Sequence, residues 1–229
     1  MRKVNISVCL ATYNGEKYIK EQLFSILPQL SQNDEIVISD DGSKDKTIEI
    51  INSFKDDRIK ILHNKNFKGV IGNFENAIKN AKKDFIFLSD QDDIWRRDKV
   101  QVILNFFAAN QSYTCVFSNA VLIDNKGEKL GERFFKHVPK LKFGKLLIKN
   151  EFLGCTMAFK RNVKILPFSK KLPMHDWYIG LKHIQKGKVG FINQDLIFYR
   201  RHGENVTTGK RSSLLQVLKW RLEIIKAIF

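Results

Sequence analysis

The sequence has no long uninterrupted apolar stretch, and this absence limits the classes of protein it can belong to. No segment offers the roughly 20 consecutive uncharged apolar residues that a membrane-spanning helix needs. Met1-Arg2-Lys3 leads directly into a strand pattern, without the apolar core and cleavage site of a secretory signal peptide. We therefore expect a cytoplasmic protein.

Cysteine is also scarce. Cys9, Cys115 and Cys155 are odd in number and far apart, and no Cys-x-x-Cys spacing occurs. Neither a disulfide framework nor a zinc site is indicated, and we expect three reduced core thiols.

Two common nucleotide-binding motifs are missing. The sequence contains neither Gly-x-x-x-x-Gly-Lys-Ser/Thr nor Gly-x-Gly-x-x-Gly, which argues against P-loop and dinucleotide chemistry. It has no internal repeat either. Its 229 residues, 43% of them hydrophobic, suffice for a sizeable core. We predict one domain over residues 1–207, followed by an amphipathic helix within 208–229.

Acidic residues are outnumbered by basic ones. The 40 lysines and arginines exceed the 24 acidic residues and give a net charge of +16, which implies an anionic partner. Nucleic acid, an acidic membrane surface and phosphorylated substrates are the candidate partners. The basic residues concentrate after Lys126 and the acidic ones in the first half. Because we find no recognisable nucleic-acid-binding module, we do not expect nucleic acid.

Apolar periodicity predicts alternating strands and helices in the first half. Strands are predicted at residues 4–11, 36–39, 59–62 and 85–88, and helices at 18–30, 47–54 and 72–81. This alternation implies an α/β fold with a Rossmann-like, mostly parallel central sheet flanked by helices.

The second half is less regular. The pattern predicts helices at 99–107 and 175–185, a Lys-rich loop at 126–142, a final helix at 213–229, and strands at 114–117, 121–124, 152–159, 189–192 and 196–200.

Polar clusters follow three of the predicted strands. Thr12-Tyr13-Asn14 follows the first, Asp40-Asp41 the second, and Asp90-Gln91-Asp92-Asp93 the fourth. Ligands of such sheets bind outside the carboxyl ends of the strands, so the clusters should share one rim. Carboxylate oxygens suit Mg²⁺ or Mn²⁺, which leave positions open for phosphate, as a nucleotide diphosphate requires. The alternative for Asp90–Asp93 is a solvated acidic turn.

Four ordered motifs resemble those of family 2 glycosyltransferases with the GT-A fold. They are Ala11–Gly15 with Glu16, Ser39–Thr47, Phe87–Trp95 and His175–Trp177. The tail Tyr199–Thr207 looks like that of the bacterial rhamnosyltransferase-like branch. The resemblance spans Ile6 to Thr207, nearly the whole chain.

The resemblance implies an inverting glycosyltransferase of polysaccharide biosynthesis in the cell envelope. A sugar, with rhamnose as one candidate, would pass from a dTDP- or UDP-linked donor to a hydroxyl of a glycan or lipid-linked acceptor. The alternatives are a basic nucleic-acid-binding protein and a catalytically weak glycan-binding homologue.

The resemblance also assigns residues to the donor. Thr12 and Tyr13 match positions that line the nucleobase and ribose, and Asn14 follows them. Asp41 or Asp40 matches the carboxylate that accepts a hydrogen bond from a pyrimidine N–H, as uracil or thymine offers. The alternatives are a loop Tyr packed at the sheet edge and an N-capping Asp.

Glu16 and Asn73 are two further candidates for the same predicted pocket. Glu16 either supports it or is a first-turn helix acid. Asn73, with Asn64-Lys65-Asn66, either approaches ribose or phosphate or is an ordinary surface residue.

In the acidic cluster, Asp92 matches the position that binds Mn²⁺ or Mg²⁺. Asp90 lies nearer the ribose or a metal-bound water, and Asp93 supports the site. His202 resembles a C-terminal His that completes the metal shell, with a solvated His as the alternative. Arg200 is expected to contact the diphosphate, with Arg201 on the opposite side of the strand.

A sugar hydroxyl needs a general base, and Asp176 matches the base position of the family. Its alternative role is an N-terminal helix acid. His175 stands where many relatives carry Glu, so His175 itself is a second candidate. Trp177 either stacks on the acceptor sugar or lies in the core.

The final predicted helix is amphipathic. Trp220 and Ile224 widen its apolar face, and Lys219, Arg221 and Lys226 flank that face, which consists of Leu214, Leu215, Leu218, Leu222, Ile225 and Phe229. This pattern favours peripheral binding to anionic lipid at the inner face of the cell membrane. Packing on the domain or on a second subunit are the alternatives, and the oligomeric state stays open.

Overall fold

A computed structural model of the chain describes residues 4–65, 67–203 and 213–229. Within them the strands, in chain order, are β1 Ile6–Thr12, β2 Glu35–Asp40, β3 Ile59–His63, β4 Phe85–Ser89, β5 Ile94–Trp95, β6 Tyr113–Ile123, β7 Lys129–Arg133, β8 Ala158–Lys160 and β9 Lys188–Arg200. The α-helices are α1 Ile19–Ile26, α2 Thr47–Ser53, α3 Val70–Asn80, α4 Lys99–Ala109, α5 Phe143–Leu146, α6 His175–Lys186 and α7 Leu214–Ile228.

The strands form one sheet in the order β3-β2-β1-β4-β8-β6-β9-β5, with β7 added on β6. β1 to β4 run in one direction, and β6 and β9 share it because β8 is antiparallel to both β4 and β6. The predicted α/β class and mostly parallel central sheet are confirmed. Parallel pairing places the ends of β1, β2 and β4 at one rim, where Thr12 lies opposite Asp40.

Helices cover both faces of the sheet because successive strand residues point to opposite sides. Val8 and Leu10 of β1 pack with α1, α2 and α4, whereas Cys9 packs with α3, α6 and α7. The rim between these two cores carries the polar clusters.

Two pairs of predicted strands are each a single strand. β6 continues through Ser118 and Asn119 by shifting its register with β9, so the polar pair does not end the strand. β9 likewise continues through the polar residues Asn193 to Asp195.

Two other segments differ from the sequence prediction. The predicted loop 126–142 contains β7, whose five residues are all exposed and therefore show no apolar alternation. The predicted strand 152–159 is instead a 3₁₀ helix, Gly154–Thr156, followed by the short β8. A Cβ on Gly154 would lie 2.8 Å from Nε2 of His175, so this segment passes very close to the start of α6.

α7 packs its inner side against the face of the sheet that α6 covers. Ile224 and Ile228 are buried there, and the Lys182 ammonium of α6 donates to the Ile228 carbonyl over 3.1 Å. The predicted apolar stripe therefore faces outward, except for Ile224, which is buried on the inner side of the helix. Among the described residues, no helix is long and apolar enough to cross a membrane. The predicted domain boundary at residue 207 lies outside them.

Candidate active site

The end of β1 is tied to the end of β2 by Thr12 and Asp40. The Thr12 hydroxyl donates to Asp40 Oδ1 over 3.0 Å, and Asp40 Oδ2 accepts the backbone N–H groups of Gly42 and Ser43, each over 2.9 Å. These hydrogen bonds occupy both oxygens of the buried Asp40. Of the two candidate base-binding carboxylates, Asp40 shapes the turn.

Asp41 connects the same turn to the start of α3. Its Oδ1 accepts from the Asn64 side chain over 2.9 Å, and its Oδ2 accepts the Gly69 N–H over 2.8 Å. Asn73 of α3 donates to the Thr12 carbonyl over 2.9 Å, and its Oδ1 is buried without a partner within the described residues. Asn66, grouped with Asn64 in the sequence prediction, lies outside those residues.

Asn14 and Glu16 join the loop after β1 to the loop after β2 in the same way. Each donates its backbone N–H to a side chain of the second loop, and each accepts a backbone N–H of that loop with its own side chain, over 2.9 to 3.0 Å. The partners are Ser43, Lys44, Asp45 and Lys46. Both residues thus support the rim, and their donor contacts stay predictions.

Gln91 fastens the acidic loop to Tyr13. The Tyr13 N–H donates to Gln91 Oε1 over 2.9 Å, and Gln91 Nε2 donates to the Tyr13 carbonyl over 3.1 Å. Gly15 allows this contact, since a Cβ there would lie 2.3 Å from Gln91 Oε1. The Tyr13 residue itself is 54% exposed, so its ring is available to a ligand. Sequence reasoning gave Gln91 no role.

Asp90 and Asp93 lie in a crowded acidic cluster. Ligand atoms of Asp90, Asp93 and Cys155 all lie within 4.8 Å of one another. Burial and the neighbouring Asp92 charge raise the pKa of Asp93 to about 7, and burial with the charges of Asp93 and Asp92 raises the pKa of Asp90 well above its usual value. A cation here would relieve the repulsion.

Lys99 is a buried basic residue next to this cluster. Its ammonium donates to the Cys155 carbonyl over 2.9 Å and lies 3.8 Å from the Trp95 ring centroid. Burial lowers its pKa to about 7, so it compensates the acidic charge only in part.

Asp92 faces His202. His202 Nε2 lies 2.7 Å from Asp92 Oδ2, and the His202 ring lies 5.1 Å from the ring of Tyr18. The two predicted ligands, 110 positions apart in the chain, are therefore neighbours. Among the remaining residues of the predicted tail motif, Glu204 to Thr207 lie outside the described residues.

Arg200 forms hydrogen bonds with two residues of the acidic loop. Its N–H donates to Asp93 Oδ1 over 3.0 Å, its Nε donates to the Asp92 carbonyl over 2.7 Å, and its guanidinium pairs with Glu21. The side chain is buried. The structure thus gives Arg200 a positioning role, and its contact with the diphosphate stays a prediction.

The oxygen ligands of this loop fit a hard divalent cation. Asp93 Oδ2 is buried and has no hydrogen-bond partner among the described residues. Burial holds the pKa of the Cys155 thiol well above its usual range, and a protonated thiol is a poor ligand for Mg²⁺ or Mn²⁺. Asp90, Asp92, Asp93 and His202 are the better ligand set.

Asp176 lies at the start of α6. Its Oδ1 accepts the Trp177 N–H over 2.7 Å and the Asn150 side-chain amide over 3.2 Å. Burial raises the pKa of Asp176 to about 6, which suits a base that works near neutral pH. Its charge contributes to the raised pKa of Asp90. A Cβ on Gly154 would lie 3.4 Å from Asp176 Cβ, and the adjacent Cys155 belongs to the acidic cluster, so the base candidate and the acidic loop lie close together.

His175 is packed and neutral. Its ring stacks on Phe74 at 4.2 Å, its Nε2 is buried without a partner in the described part of the chain, and burial lowers its pKa to about 3. A group with so low a pKa is a weak proton acceptor, so Asp176 is the better of the two base candidates.

Trp177 lies in the core, which the sequence left as the alternative to sugar stacking. It is 3% exposed, and its indole N–H donates to the Leu146 carbonyl. Stacking on an acceptor sugar requires an open ring face. The structure therefore does not support that prediction.

Comparisons with known proteins identify the family of this chain. The family model described as glycosyl transferase family 2 matches residues 7–166. The Escherichia coli protein WfgD, a UDP-Glc:α-D-GlcNAc-diphosphoundecaprenol β-1,3-glucosyltransferase, is 30% identical over 91% of this chain and 82% of its own. The Shigella flexneri dTDP-rhamnosyl transferase RfbG is 31% identical over 86% of this chain and 72% of its own.

Solved structures share the fold. S. aureus TarS 1-349 in complex with UDP-GlcNAc has a TM-score of 0.73 at 19% identity, covering 98% of this chain and 68% of that one. Mycobacterium tuberculosis glucosyl-3-phosphoglycerate synthase, in complex with Mn²⁺, UDP and phosphoglyceric acid, has a TM-score of 0.64 at 16% identity, covering 99% and 78%. The family model covers more than half of the chain and the solved structures share its fold, so the chain belongs to glycosyl transferase family 2.

Proposed function

We propose that this protein is an inverting, metal-dependent glycosyltransferase that uses a UDP- or dTDP-linked sugar to extend a bacterial surface glycan. The observation that carries the proposal is the position of Asp176, a carboxyl whose pKa is raised to about 6, opposite the acidic loop Asp90–Asp93. A base and a diphosphate site facing each other are what direct displacement at an anomeric carbon requires.

The donor would lie across the rim formed by β1, β2 and β4. Tyr13 is exposed at this rim, and Asp41 directly follows β2 there. Asp41 or Asp40 would accept the ring N–H of a pyrimidine, and Asn73, whose buried Oδ1 has no partner among the described residues, would stand near the ribose. A pyrimidine base is consistent with the UDP and dTDP donors in the names of the relatives.

Asp90, Asp92, Asp93 and His202 would hold Mn²⁺ or Mg²⁺. When bound, such an ion neutralises charge on the diphosphate as it leaves. Arg200 and Gln91 fix the loop that carries these ligands, so that little reorganisation accompanies the reaction.

The transfer would be a single displacement. Asp176 takes the proton of the acceptor hydroxyl, that oxygen bonds to the anomeric carbon, and the bond from this carbon to the diphosphate oxygen breaks. The nucleotide diphosphate leaves with the electron pair. The Asn150 amide and the Trp177 N–H orient the Asp176 carboxylate for this step.

The acceptor would be lipid-linked. WfgD acts on a diphosphoundecaprenol-linked sugar, and α7 exposes a row of large apolar side chains beside basic ones. We propose that α7 contacts an anionic membrane surface from the inner side, and that the transferred sugar is rhamnose or glucose, as the names of the two relatives suggest.

The proposal can be tested by measuring thermal stability and sugar transfer with a panel of nucleotide sugars, with and without Mn²⁺. UDP-glucose and dTDP-rhamnose should raise the melting temperature only with the metal present, and one of them should support transfer to a lipid-linked sugar. Binding to nucleic acid that weakens with salt and needs no divalent ion would favour the nucleic-acid alternative. Metal-dependent donor binding without any donor hydrolysis would favour the catalytically weak homologue.

A further inference from the structure

A groove outside the site described above is lined by residues of the chain segment that connects β7 to α6. Its volume is about 660 Å³, within the range of small-ligand sites. One wall is formed by Phe134–Lys140, and the other by Lys145, Ile148, Lys149 and Glu151. We call it the lysine groove.

The charge of the lysine groove is strongly positive. Its walls carry four lysines and one glutamate. Lys136 pairs with Glu132 and Lys149 with Glu151, whereas the ammonium groups of Lys140 and Lys145 make no hydrogen bond or ion pair with the described residues. Two free ammonium groups suit a compact anion with more than one charge.

The same groove has apolar walls. Val138 is 61% exposed and Ile148 is 55% exposed, and half-buried Phe134 and Phe135 line the groove with them. Open apolar side chains next to unpaired lysines suit an amphiphile better than a free inorganic anion.

One wall of the lysine groove leads to Asp176. Asn150 follows Lys149 directly, and its side-chain amide donates to Asp176 Oδ1 over 3.2 Å. A ligand whose charged part lies between the lysines would therefore place its next group near the base.

The same wall also adjoins α7. Arg221 Nε donates to the Ile148 carbonyl over 2.9 Å, and the rings of Phe143 and Phe229 lie 6.3 Å apart. The chain segment that forms this wall thus contacts both α7 and Asp176.

We propose that the lysine groove binds the diphosphate of an isoprenoid-diphosphate-linked acceptor sugar. In such a molecule the diphosphate joins the lipid to the sugar, and the groove wall likewise contacts both the helix with exposed apolar side chains and the candidate base. Lys140 and Lys145 contact the diphosphate, Val138 and Ile148 contact the first isoprene units, and the sugar hydroxyl reaches Asp176. The inference rests on the lipid-linked acceptor of the proposed function.

The test compares wild type with the double variant Lys140→Ala/Lys145→Ala. Both residues are exposed, so the substitutions should leave the melting temperature unchanged. Binding of farnesyl diphosphate is measured in EDTA, which removes metal-dependent diphosphate binding at the donor site. We expect the double variant to bind at least about tenfold more weakly, a change of roughly 1.4 kcal/mol.

A matched control removes two other exposed lysines, Lys79 in the last turn of α3 and Lys82 just beyond that helix. Lys79→Ala/Lys82→Ala should bind farnesyl diphosphate as wild type does. Equal binding by wild type and by Lys140→Ala/Lys145→Ala would overturn the proposal. The proposal would also be overturned if Lys140→Ala/Lys145→Ala lost binding to phosphatidylglycerol vesicles but not to farnesyl diphosphate. That result would show that the two lysines belong to a general surface for anionic membranes. Inorganic pyrophosphate binding as tightly as farnesyl diphosphate would remove the lipid part of the proposal.

Kinetics separate this inference from the proposed function. In an active enzyme the double variant should raise KM for the lipid-linked acceptor about tenfold and leave kcat and Mn²⁺-dependent donor binding unchanged. If no donor supports transfer by wild type, the proposed function fails, while farnesyl diphosphate binding still reports on the groove.

Discussion

His202 Nε2 lies 2.7 Å from Asp92 Oδ2, although the two residues are 110 positions apart in the chain. Asp92 follows β4, and His202 follows β9. His202 therefore lies against the acidic loop, and side chains from both places in the chain can bind one ion. A carboxylate oxygen and an imidazole nitrogen are both acceptable ligands for Mn²⁺.

Asp92→Asn should remove most of the turnover and preserve the fold. The Asp92 side chain is 14% exposed at the rim, and Asn is nearly isosteric but carries no charge for a cation. We expect a loss of at least about 100-fold in kcat, the scale of a lost electrostatic contact to the leaving group. Initial rates with Mn²⁺ measure it, and circular dichroism checks the fold. Activity within about threefold of wild type would refute the metal assignment.

His202→Ala should raise the Mn²⁺ concentration that gives half-maximal activity by roughly 10- to 100-fold, as the loss of a metal ligand or its support does. The activity should recover at saturating Mn²⁺. Lys20→Ala, at an exposed position of α1, is the control and should leave the Mn²⁺ titration unchanged. An unchanged titration for His202→Ala would place His202 outside the metal shell.

Asp176→Asn should lower kcat by about 100-fold or more, the scale of a lost general base, and leave donor affinity nearly unchanged. Because burial raises the pKa of Asp176 to about 6, the wild-type kcat/KM should rise with pH up to about 6 and then level off. The variant should lack this rise. A parallel loss of donor affinity would show that Asp176 contacts the donor instead.

The raised pKa of Asp176 should also affect stability, which should fall with rising pH over the range in which kcat/KM rises. Between the usual pKa of 3.8 and the folded value of about 6, the folded state holds more protons than the unfolded state. The free energy of unfolding should therefore fall as pH rises through this window. Asp176→Asn should remove that contribution, so melting temperatures of the two proteins, recorded from pH 4 to pH 7, should differ in slope. Parallel curves would contradict the raised pKa.

The first half of the fold was predictable because local pattern and tertiary position agree there. Each of β1, β2 and β4 is an apolar run that ends in polar residues, and parallel pairing alone brings those ends to one rim. The second half was less predictable. β7 has no buried face, and the register shift near Asn119 lets β6 continue through polar residues.

Most contacts that support the site were not predictable from the sequence. Gln91 and Tyr13 are 78 positions apart, and Asn150 and Asp176 are 26 apart, so no local pattern joins them. Gly154 gave a weak signal, since a glycine within a predicted strand often marks a close backbone approach. The position of Trp177 could not be read from its motif, because both a core and a ligand-facing Trp satisfy the same local sequence.

Gln91→Ala should weaken donor binding through the loop that carries Tyr13. The substitution removes two hydrogen bonds to the Tyr13 backbone, each contributing about 1 kcal/mol. We expect KM for the donor to rise roughly tenfold while Mn²⁺ binding changes little. Gly15→Ala should act similarly, because its Cβ would displace Gln91 Oε1. Donor affinity unaffected in both variants would show that this contact does not position the donor site.

Leu218→Glu/Leu222→Glu should reduce binding to anionic vesicles without affecting the fold. Leu218 and Leu222 lie on the outward side of α7 and are 52% and 57% exposed, whereas Ile224 on the inner side is fully buried. Deletion of the whole helix would also uncover the core, so these point substitutions give the cleaner test. Charge on an apolar face that enters the lipid interface should lower vesicle partitioning by roughly tenfold or more.

Ile224→Ala is the contrasting variant on the inner side of α7. It should lower the free energy of unfolding by about 2 to 5 kcal/mol and leave vesicle binding of the folded protein intact. Unchanged sedimentation of Leu218→Glu/Leu222→Glu with phosphatidylglycerol vesicles would reject the membrane contact. A wild-type dimer that dissociates in this double variant, measured by analytical ultracentrifugation, would instead assign the outward side of α7 to a second subunit.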